Sequence, residues 1–347
     1  MKKLLLSVML VLPMVASAYD AKVDGIYYNF DKQKKTAEVT YKGEWDHDYY
    51  DAVKIPKVVK YEGGEYAVTK IGKKAFESCY SLVSVEIPNS VTVIEKSAFY
   101  GTGITSITIP NSVKEIGEGA FSSCESLTSI KIPNSVTVMS DRLLSGCYAL
   151  TDVTIGKSVK DIKDNVFREC THLTSVNIPE GVETIGGNAF YGCSRLSSVT
   201  LPKTLKKIGF SAFFMDEKLK TIYCYAENVP EADLYIFDGV PATIYVPAAS
   251  VAKYKSTEPW SWKTIKPLAD NTTAVSVVSS NCSIVACEGV LTVAGEADGM
   301  GITVYSVGGQ LLGKAVVKNG VAEVDTKLQS GSVVVVKVGK KSVKVLL

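Results

Sequence analysis

A unit of 23 residues recurs through the middle of this chain, and its fixed period constrains the fold more than any other feature. Seven copies align, the second of which is one residue short, and an eighth, degenerate copy follows them. A period in this range predicts a solenoid, in which each repeat forms one turn, and not the core of a globular enzyme. The copies span residues 68–90, 91–112, 113–135, 136–158, 159–181, 182–204, 205–227 and 228–250.

The third copy shows how one repeat is built. Its stretch from Leu127 to Ile132 has L-x-x-L-x-L spacing, and the alternation around Lys131 predicts a short strand with one buried face. Pro133 ends this strand, because proline cannot donate a hydrogen bond to a neighbouring strand. The apolar or small positions of the copy are Val113, Ile116, Ala120, Phe121, Cys124, Leu127, Ile130, Ile132 and Pro133.

These positions recur from copy to copy, so stacked turns can bury them together. A single turn cannot cover its own apolar side, whereas neighbouring turns form continuous columns of core residues. At about 4.8 Å between paired strands, eight turns make a solenoid of roughly 40 Å. The strand positions recur as Val85/Ile87, Ile107/Ile109, Val153/Ile155, Val176/Ile178, Val199/Leu201 and Ile222/Cys224, and the phenylalanine recurs as Phe76, Phe99, Phe167, Phe190 and Phe213, with Leu144 substituting once.

The repeated phrases resemble the BspA-like type of leucine-rich repeat, which is common in surface proteins of Bacteroidetes. The phrases are Ile-Pro-Asn-Ser-Val, Ile-Gly-x-x-Ala-Phe and Cys-x-x-Leu-x-x-Ile, and the resemblance covers residues 68–268, including a closing segment through Tyr254 and Trp260. It implies a mainly β fold with short helical or irregular turns, a leucine-rich-repeat solenoid with a parallel sheet on its concave face. It also implies display outside the cell and binding to proteins or cells.

The N-terminus has the features of a secretory signal peptide, at residues 1–18. Lys2 and Lys3 precede an apolar run at 4–12, and Ala16-Ser17-Ala18 supplies the small residues of a cleavage site. The run is too short for a transmembrane helix, and no other segment of the sequence could span a bilayer. A net charge of +2 does not indicate the strongly basic surface that nucleic-acid binding requires. We therefore expect export, to the cell surface or outer membrane or as a secreted protein.

The flanks of the repeats differ in composition from the repeats themselves. Residues 19–67 are rich in tyrosine and alternate in places, which predicts a β-rich N-terminal cap over the first turn. Residues 269–279 predict a polar linker. Residues 280–347 contain short valine-rich strands separated by glycine turns, including a hairpin at Gly308-Gly309, and predict a small β-sandwich.

This C-terminal module resembles the sorting domains of the type IX (Por) secretion system. The resemblance lies in Val304-Tyr305, in Gly309-Gln310-Leu311, and in the strands at 336–338 and 341–345. It implies an address or attachment signal. That family usually has a tyrosine after the Gly-x that precedes the penultimate strand, where this chain has Val333. The alternative is a β-sandwich that only terminates the protein.

Cysteines occupy one phase of the repeat, which we call the cysteine column. Stacked turns place adjacent Cα atoms within disulfide range, but parallel Cβ directions disfavour the bond. We expect free thiols that act as small buried hydrophobes, and no zinc stack, because the C-x₂₋₄-C spacing is absent. Cys282 and Cys287 would need a turn to form a disulfide. The column contains Cys79, Thr102, Cys124, Cys147, Cys170, Cys193 and Asp216.

Catalytic motifs are missing from the sequence. His47 lies in an acidic stretch of the cap and His172 in a variable, exposed turn, so neither predicts a site. Asp46, Asp48 and Asp51 could bind Ca²⁺, but the stretch lacks the features of an EF-hand, and a solvated loop is favoured. No nucleophile elbow, zinc motif or phosphate-binding loop occurs. We expect no enzyme, no cofactor and no metal.

Two columns of outward side chains on the repeat strands are the predicted binding face. They are rich in hydroxyls and nearly uncharged, although threonine also suits exposed strands by propensity alone. We expect adhesion to a host extracellular or microbial surface protein. A carbohydrate-capturing accessory protein and a structural surface component are the alternatives. The columns are Ser84, Ser106, Ser129, Asp152, Ser175, Ser198 and Thr221, and Glu86, Thr108, Lys131, Thr154, Asn177, Thr200 and Tyr223.

Overall fold

The structure is a computed structural model in which residues 19–43, 49–268, 276–277, 283–287, 290–295, 298–306, 310–326, 333–339 and 341–346 are described. Several sequence predictions lie outside the described residues. They are the signal peptide at 1–18, His47 with Asp46 and Asp48, most of the linker, the Gly308-Gly309 turn and Cys282.

A mixed sheet precedes the repeats and covers their first turn. Its strands pair in the order β1-β2-β3-β6, and β5 also pairs with β6. The end of β6 is already part of the first repeat, where Lys70 and Ile71 pair in parallel with Val93 and Ile94 of the second repeat. The buried Tyr49 donates a hydrogen bond to the Thr40 carbonyl at 2.8 Å and packs its ring 4.7 Å from that of Phe76. The strands are β1 (Ala21–Val23), β2 (Ile26–Asp31), β3 (Thr36–Thr40), β4 (Asp51–Lys54), β5 (Val58–Tyr61) and β6 (Gly64–Ile71).

The alternating stretch of each repeat forms one short parallel strand, and these strands line one side of the solenoid in three hydrogen-bonded segments that together we call the front sheet. Neighbouring strands align without offset, so that Ile130 lies between Ile107 and Val153. β4 extends this sheet by pairing in parallel with the first strand. The strands are β7 (Leu82–Glu86), β9 (Ser106–Ile107), β11 (Ser129–Lys131), β13 (Asp152–Thr154), β15 (Ser175–Asn177), β17 (Ser198–Leu201), β19 (Thr221–Cys224), β21 (Thr243–Val246) and β22 (Thr264–Pro267).

A second parallel sheet, the back sheet, is built from two-residue strands at the start of each repeat. The glycine after the isoleucine lets turns approach closely, since a Cβ on Gly117 would lie 2.5 Å from the Lys96 backbone nitrogen. Ser140 replaces this glycine in the fourth copy and donates to the Ile116 carbonyl at 2.6 Å, and the back sheet divides there. The strands are β8 (Val93–Ile94), β10 (Glu115–Ile116), β12 (Val138–Met139), β14 (Asp161–Ile162), β16 (Thr184–Ile185), β18 (Lys207–Ile208) and β20 (Glu231–Ala232).

Aromatic rings stack along the axis of the solenoid, between the two sheets. The rings of Phe99 and Phe121 are 5.1 Å apart and nearly parallel, and those of Phe190 and Phe213 repeat this geometry at 5.1 Å. Leu144 fills the column between Phe121 and Phe167 and is fully buried. Each ring covers the apolar face of the next, which is the burial that no single turn could achieve.

The serine of the Ile-Pro-Asn-Ser-Val phrase also has a structural role. The Ser112 hydroxyl donates to the Val91 carbonyl of the preceding turn at 2.7 Å, and Ser250 donates to the Glu227 carbonyl at 2.7 Å. Thr204 makes the same bond to Val182 at 2.8 Å. These hydroxyls satisfy carbonyls at corners where the strands have ended.

The closing segment ends the array. It contains 3₁₀ turns at Ala248–Ser250 and Trp260–Trp262 and one short helix, α1 (Val251–Lys255). Tyr254 and Trp260 are fully buried at 5.1 Å between ring centroids, and the Trp260 indole donates to the Pro230 carbonyl at 3.1 Å. This segment supplies β22, so the front sheet has one turn more than the eight copies in the sequence.

Two antiparallel sheets form the C-terminal module. Their strand orders are β23-β24-β25-β28 and β27-β26-β29-β30, and Leu291, Ile302 and Val336 meet in a shared apolar core. The mainly β leucine-rich-repeat fold is therefore confirmed. The strands are β23 (Ser276–Val277), β24 (Ser283–Cys287), β25 (Val290–Ala294), β26 (Gly301–Ser306), β27 (Leu311–Val316), β28 (Val321–Asp325), β29 (Val333–Val338) and β30 (Lys341–Leu346).

Candidate binding surface on the front sheet

The structure brings the predicted binding residues together in two straight rows on the front sheet. Ser129 lies between Ser106 and Asp152 in the parallel register, and Thr200 lies between Asn177 and Tyr223. Each row residue flanks a buried central residue such as Ile130, which is 4% exposed. The rows are therefore fixed by the backbone pairing and by the core behind them.

Exposure of the rows falls steadily along the solenoid. Ser84, Glu86, Ser106, Thr108 and Lys131 are exposed, which leaves the rows of the first three turns open apart from the half-buried Ser129.

The rows of the fourth to seventh turns are more covered. Ser198 is buried, at 7% exposure. Half-buried side chains occupy the other positions, namely Asp152, Thr154, Ser175, Asn177, Thr200, Thr221 and Tyr223.

The C-terminal module covers the later turns. A Cβ built on Gly320, in the turn before β28, would lie 3.2 Å from the Ser197 hydroxyl oxygen and 3.8 Å from the Thr174 Cβ. Tyr223 neighbours the Thr292 side chain of β25, and burial raises the pKa of Tyr223. The predicted rows therefore fall into an open part on turns one to three and a covered part on later turns.

Charges on the open part are few. Glu86 forms an ion pair with Lys54 at 3.0 Å, and both side chains are largely exposed, so the pair stabilises the fold little. Lys131 extends into solvent on the third turn. The open rows thus offer hydroxyls, which both donate and accept hydrogen bonds. They also contain one negative charge, Glu86, and one positive charge, Lys131.

The cysteine column is buried along its length. The six cysteines whose side chains are described are free, which confirms the thiol prediction for the column. The thiols also donate hydrogen bonds, for example Cys147 to the Phe121 carbonyl at 3.1 Å. Burial raises the pKa of Cys124 to about 11, so the thiol stays protonated and unreactive. Asp216 continues the column, and neither of its carboxyl oxygens has a hydrogen-bond partner among the residues that the structure describes.

An exposed aromatic cluster was missed by the sequence analysis. Phe210, Met215, Leu234 and Tyr235 are about half exposed, and the rings of Phe210 and Tyr235 are 6.0 Å apart. The Met215 sulfur lies 3.4 Å from the hydroxyl of Tyr191. The sequence contained evidence for this cluster, because these large residues replace small or polar ones at outward positions of the seventh and eighth copies.

The structure assembles no catalytic or metal-binding constellation in the parts of the chain that it describes. No three His, Cys, Asp or Glu residues there lie close enough to hold a metal ion. His172 is exposed, with its Nδ1 2.7 Å from the Tyr148 carbonyl oxygen. A shallow groove of about 490 Å³ lies over the division of the back sheet, between Lys114 and Ser140. Among the described residues, no helix is long and apolar enough to cross a membrane.

Comparisons with known proteins identify the repeats. The BspA-type leucine-rich repeat region, in six copies, matches residues 64–174 and 160–246, which together exceed half of the chain. A comparison with curated proteins finds no match.

The chain is also similar to solved structures of leucine-rich repeat proteins. A leucine-rich repeat protein of T. pallidum is 29% identical with a TM-score of 0.50, covering 58% of this chain and 90% of its own. A leucine-rich repeat protein from Bacteroides ovatus is 25% identical with a TM-score of 0.46, covering 72% and 77%. A leucine-rich cell surface protein from Faecalibacterium prausnitzii is 23% identical with a TM-score of 0.35, covering 71% and 94%.

BspA-type proteins are typically cell-surface proteins, built on a repeat fold that is not catalytic. The repeat phrases, the stacked parallel turns and the family match agree. This chain belongs to the BspA-type leucine-rich repeat proteins.

Proposed function

We propose that this protein is exported to the cell surface, where it binds a protein partner through the open rows of the front sheet. The partner is a host extracellular protein or a surface protein of another microbe. Binding works by surface complementarity, without a chemical step. The observation that carries the proposal is the pair of exposed, hydroxyl-rich rows on turns one to three, including Ser84, Ser106 and Thr108.

Rigidity supports this proposal. The row residues are held by parallel pairing between turns, as Ser129 is with Ser106 and Asp152, and by the packed core behind them. A preformed surface loses little conformational entropy when it binds, so weak polar contacts can add up to useful affinity. The open rows lack the Trp, Tyr and Arg anchors that dominate small interfaces, which favours an extended contact with a macromolecule.

The export part of the proposal rests on the two ends of the chain. Residues 1–18 have the composition of a signal peptide, and the C-terminal module has paired antiparallel strands where it resembles type IX sorting domains. We propose that residues 280–347 address or attach the protein. Fusing them to an exported reporter in a bacterium with that secretion system tests this. Loss of surface delivery without the module supports it, and unchanged delivery contradicts it.

Binding is tested with the mature chain, residues 19–347, on arrays of extracellular-matrix proteins and of glycans. The front-sheet variant carries Thr108→Arg and Ser129→Arg. A matched control carries Ser126→Arg and Thr137→Arg, which add the same charge at exposed positions outside the rows. We expect saturable protein binding that falls by roughly tenfold or more in the front-sheet variant, since each buried misfit costs about 1–3 kcal/mol.

Each other result has a definite meaning. If the control substitutions weaken protein binding as much as the front-sheet substitutions do, the binding site lies away from the rows. Binding to glycans alone replaces the proposal with the carbohydrate-capturing function. Binding to neither array favours a structural role at the surface.

A further inference from the structure

The C-terminal module contacts the front sheet through one defined face. Thr292 and Glu323 lie opposite each other on β25 and β28, between inward-facing core residues such as Leu291 and Val324. Both are close enough to Tyr223 to interact with its hydroxyl, Thr292 as a polar neighbour and Glu323 through its charge. The outer face of the β25 sheet is therefore turned towards the solenoid.

Tyr223 is well suited to hold this contact. It is the one aromatic residue of the two predicted rows, and its ring stacks on that of Tyr245 at 5.4 Å. A half-buried tyrosine with a polar neighbour is a common anchor of protein interfaces. The strongest anchor of the front sheet is thus already occupied by the chain's own module.

A second contact lies one to two strands away from Tyr223. The turn at Gly320 sits against Ser197 and Thr174, close enough that a Cβ would touch the Ser197 hydroxyl. Ser197 and Ser198 are 8% and 7% exposed, whereas Ser84 and Ser106 are open at the equivalent or neighbouring positions of earlier turns. Two separated contacts fix the orientation of the module, which a single contact would not.

We infer that the C-terminal module is an intramolecular cover, which docks on the front sheet through Tyr223 and Ser197 and competes there with external protein partners. A partner then reaches turns one to three directly and gains the later turns when the module is displaced. The competition rests on the proposed function, whereas the docking stands without it.

The contact joins two domains of one chain, which fits a reversible cover. Interfaces between domains of one chain resemble transient protein complexes in area and polarity. The predicted linker at 269–279 is short, and a short flexible linker holds two surfaces at millimolar effective concentration. A contact too weak to hold two separate molecules can therefore keep the module docked most of the time.

Docking is tested by maleimide labelling of single introduced cysteines in the mature chain. Ser198→Cys reports the covered rows and Ser84→Cys the open rows, and the parent chain gives the background from its own thiols. Each reporter is combined with Thr292→Arg, which places a long cation against Tyr223. The matched control is Thr303→Arg, on the outer face of the other sheet of the sandwich, between the buried Ile302 and Val304.

We expect Ser198→Cys to label at least roughly tenfold more slowly than Ser84→Cys, because labelling requires the module to open. Thr292→Arg should remove most of this difference, and Thr303→Arg should leave it unchanged. Equal labelling of both reporters in the parent background overturns the docking, as does protection that Thr292→Arg leaves intact.

The competition is measured on the same matrix-protein array. Thr292→Arg should strengthen binding several-fold relative to Thr303→Arg, because the covered rows become available. If labelling shows docking but binding is unchanged by Thr292→Arg, the module is a cover without competition and that part of the inference fails. If no array protein binds any variant, the proposed function fails while the docking result stands.

Discussion

Asp216 is an acid in a column otherwise made of thiols and one threonine. It is fully buried, and burial raises its pKa from 3.8 to about 9. Neither carboxyl oxygen has a hydrogen-bond partner among the described residues. Asp216 is therefore neutral in the folded protein at pH 7 and ionised in the unfolded chain.

The neighbouring thiols show why a neutral acid fits this position. Cys193 donates to the Phe167 carbonyl, 26 residues earlier, at 3.1 Å, and Cys170 donates to Leu144 in the same way. A protonated carboxyl can donate a hydrogen bond, as a thiol does. An ionised carboxylate has no hydrogen to donate, so it would be left buried and unpaired.

The sign of the pH effect follows from the two pKa values. The folded state holds the Asp216 proton between about pH 4 and pH 9 and the unfolded state does not, so stability is full below pH 4 and falls as pH rises. The fall is at most about 1.4 kcal/mol per pH unit, an upper limit of roughly 4 kcal/mol by pH 7. Asp216→Asn removes this titration. Burying the asparagine amide without a partner costs about 1–3 kcal/mol, so we expect a net gain of roughly 1–3 kcal/mol at pH 7.

Urea unfolding at pH 5, 7 and 8.5 measures this effect. The unfolding midpoint of Asp216→Asn should exceed that of the parent by an amount that grows with pH, at a constant m-value. Asp233→Asn, at an exposed position of the eighth copy, is the matched control and should follow the parent curve. Parallel curves for Asp216→Asn and the parent would refute the reasoning, as would an Asn variant that is less stable at every pH.

Three further predictions concern the solenoid core, all measured by urea unfolding. Phe167→Ala should cost about 3–5 kcal/mol and Phe167→Leu about half as much, because leucine fills part of the same volume, as Leu144 does in the same column; equal costs would show that ring stacking, and not filled volume, stabilises the column. Gly117→Ala should cost about 1–3 kcal/mol through its clash with Lys96, whereas Gly43→Ala, with open space around it, should cost little. Cys147→Ser should retain the bond to the Phe121 carbonyl and be more stable than Cys147→Ala by about 1 kcal/mol; the reverse order would show that this bond is unimportant.

Repetition made the fold predictable. Every central repeat meets nearly the same neighbours one turn before and after, so the apolar positions of one copy predict the core of all of them. Phe121, Cys124 and Ile130 are buried as the third copy indicates. The additional turn at β22 was harder to predict, because the closing segment lacks the repeat phrase and is held by the packing of Tyr254 and Trp260.

The candidate site was predictable in its geometry and not in its exposure. The spacing around Ile130 placed Ser129 and Lys131 on the outward face, and the structure places them there. The same reasoning treated Ser198 as equivalent to Ser84, whereas one is buried and the other exposed. Sequence spacing describes contacts between adjacent turns and contains no information on what else packs against the sheet.

The sequence alone determined the solenoid, its two rows and its column of thiols, because each depends on contacts one repeat apart that recur along the chain. Tertiary structure decided the rest. The meeting of Tyr223 with Thr292, the burial of Ser198 and the neutral state of Asp216 depend on contacts or burial that no local pattern records. Such interactions form once the whole chain has folded, since the solvent around a side chain is removed by whatever packs over it.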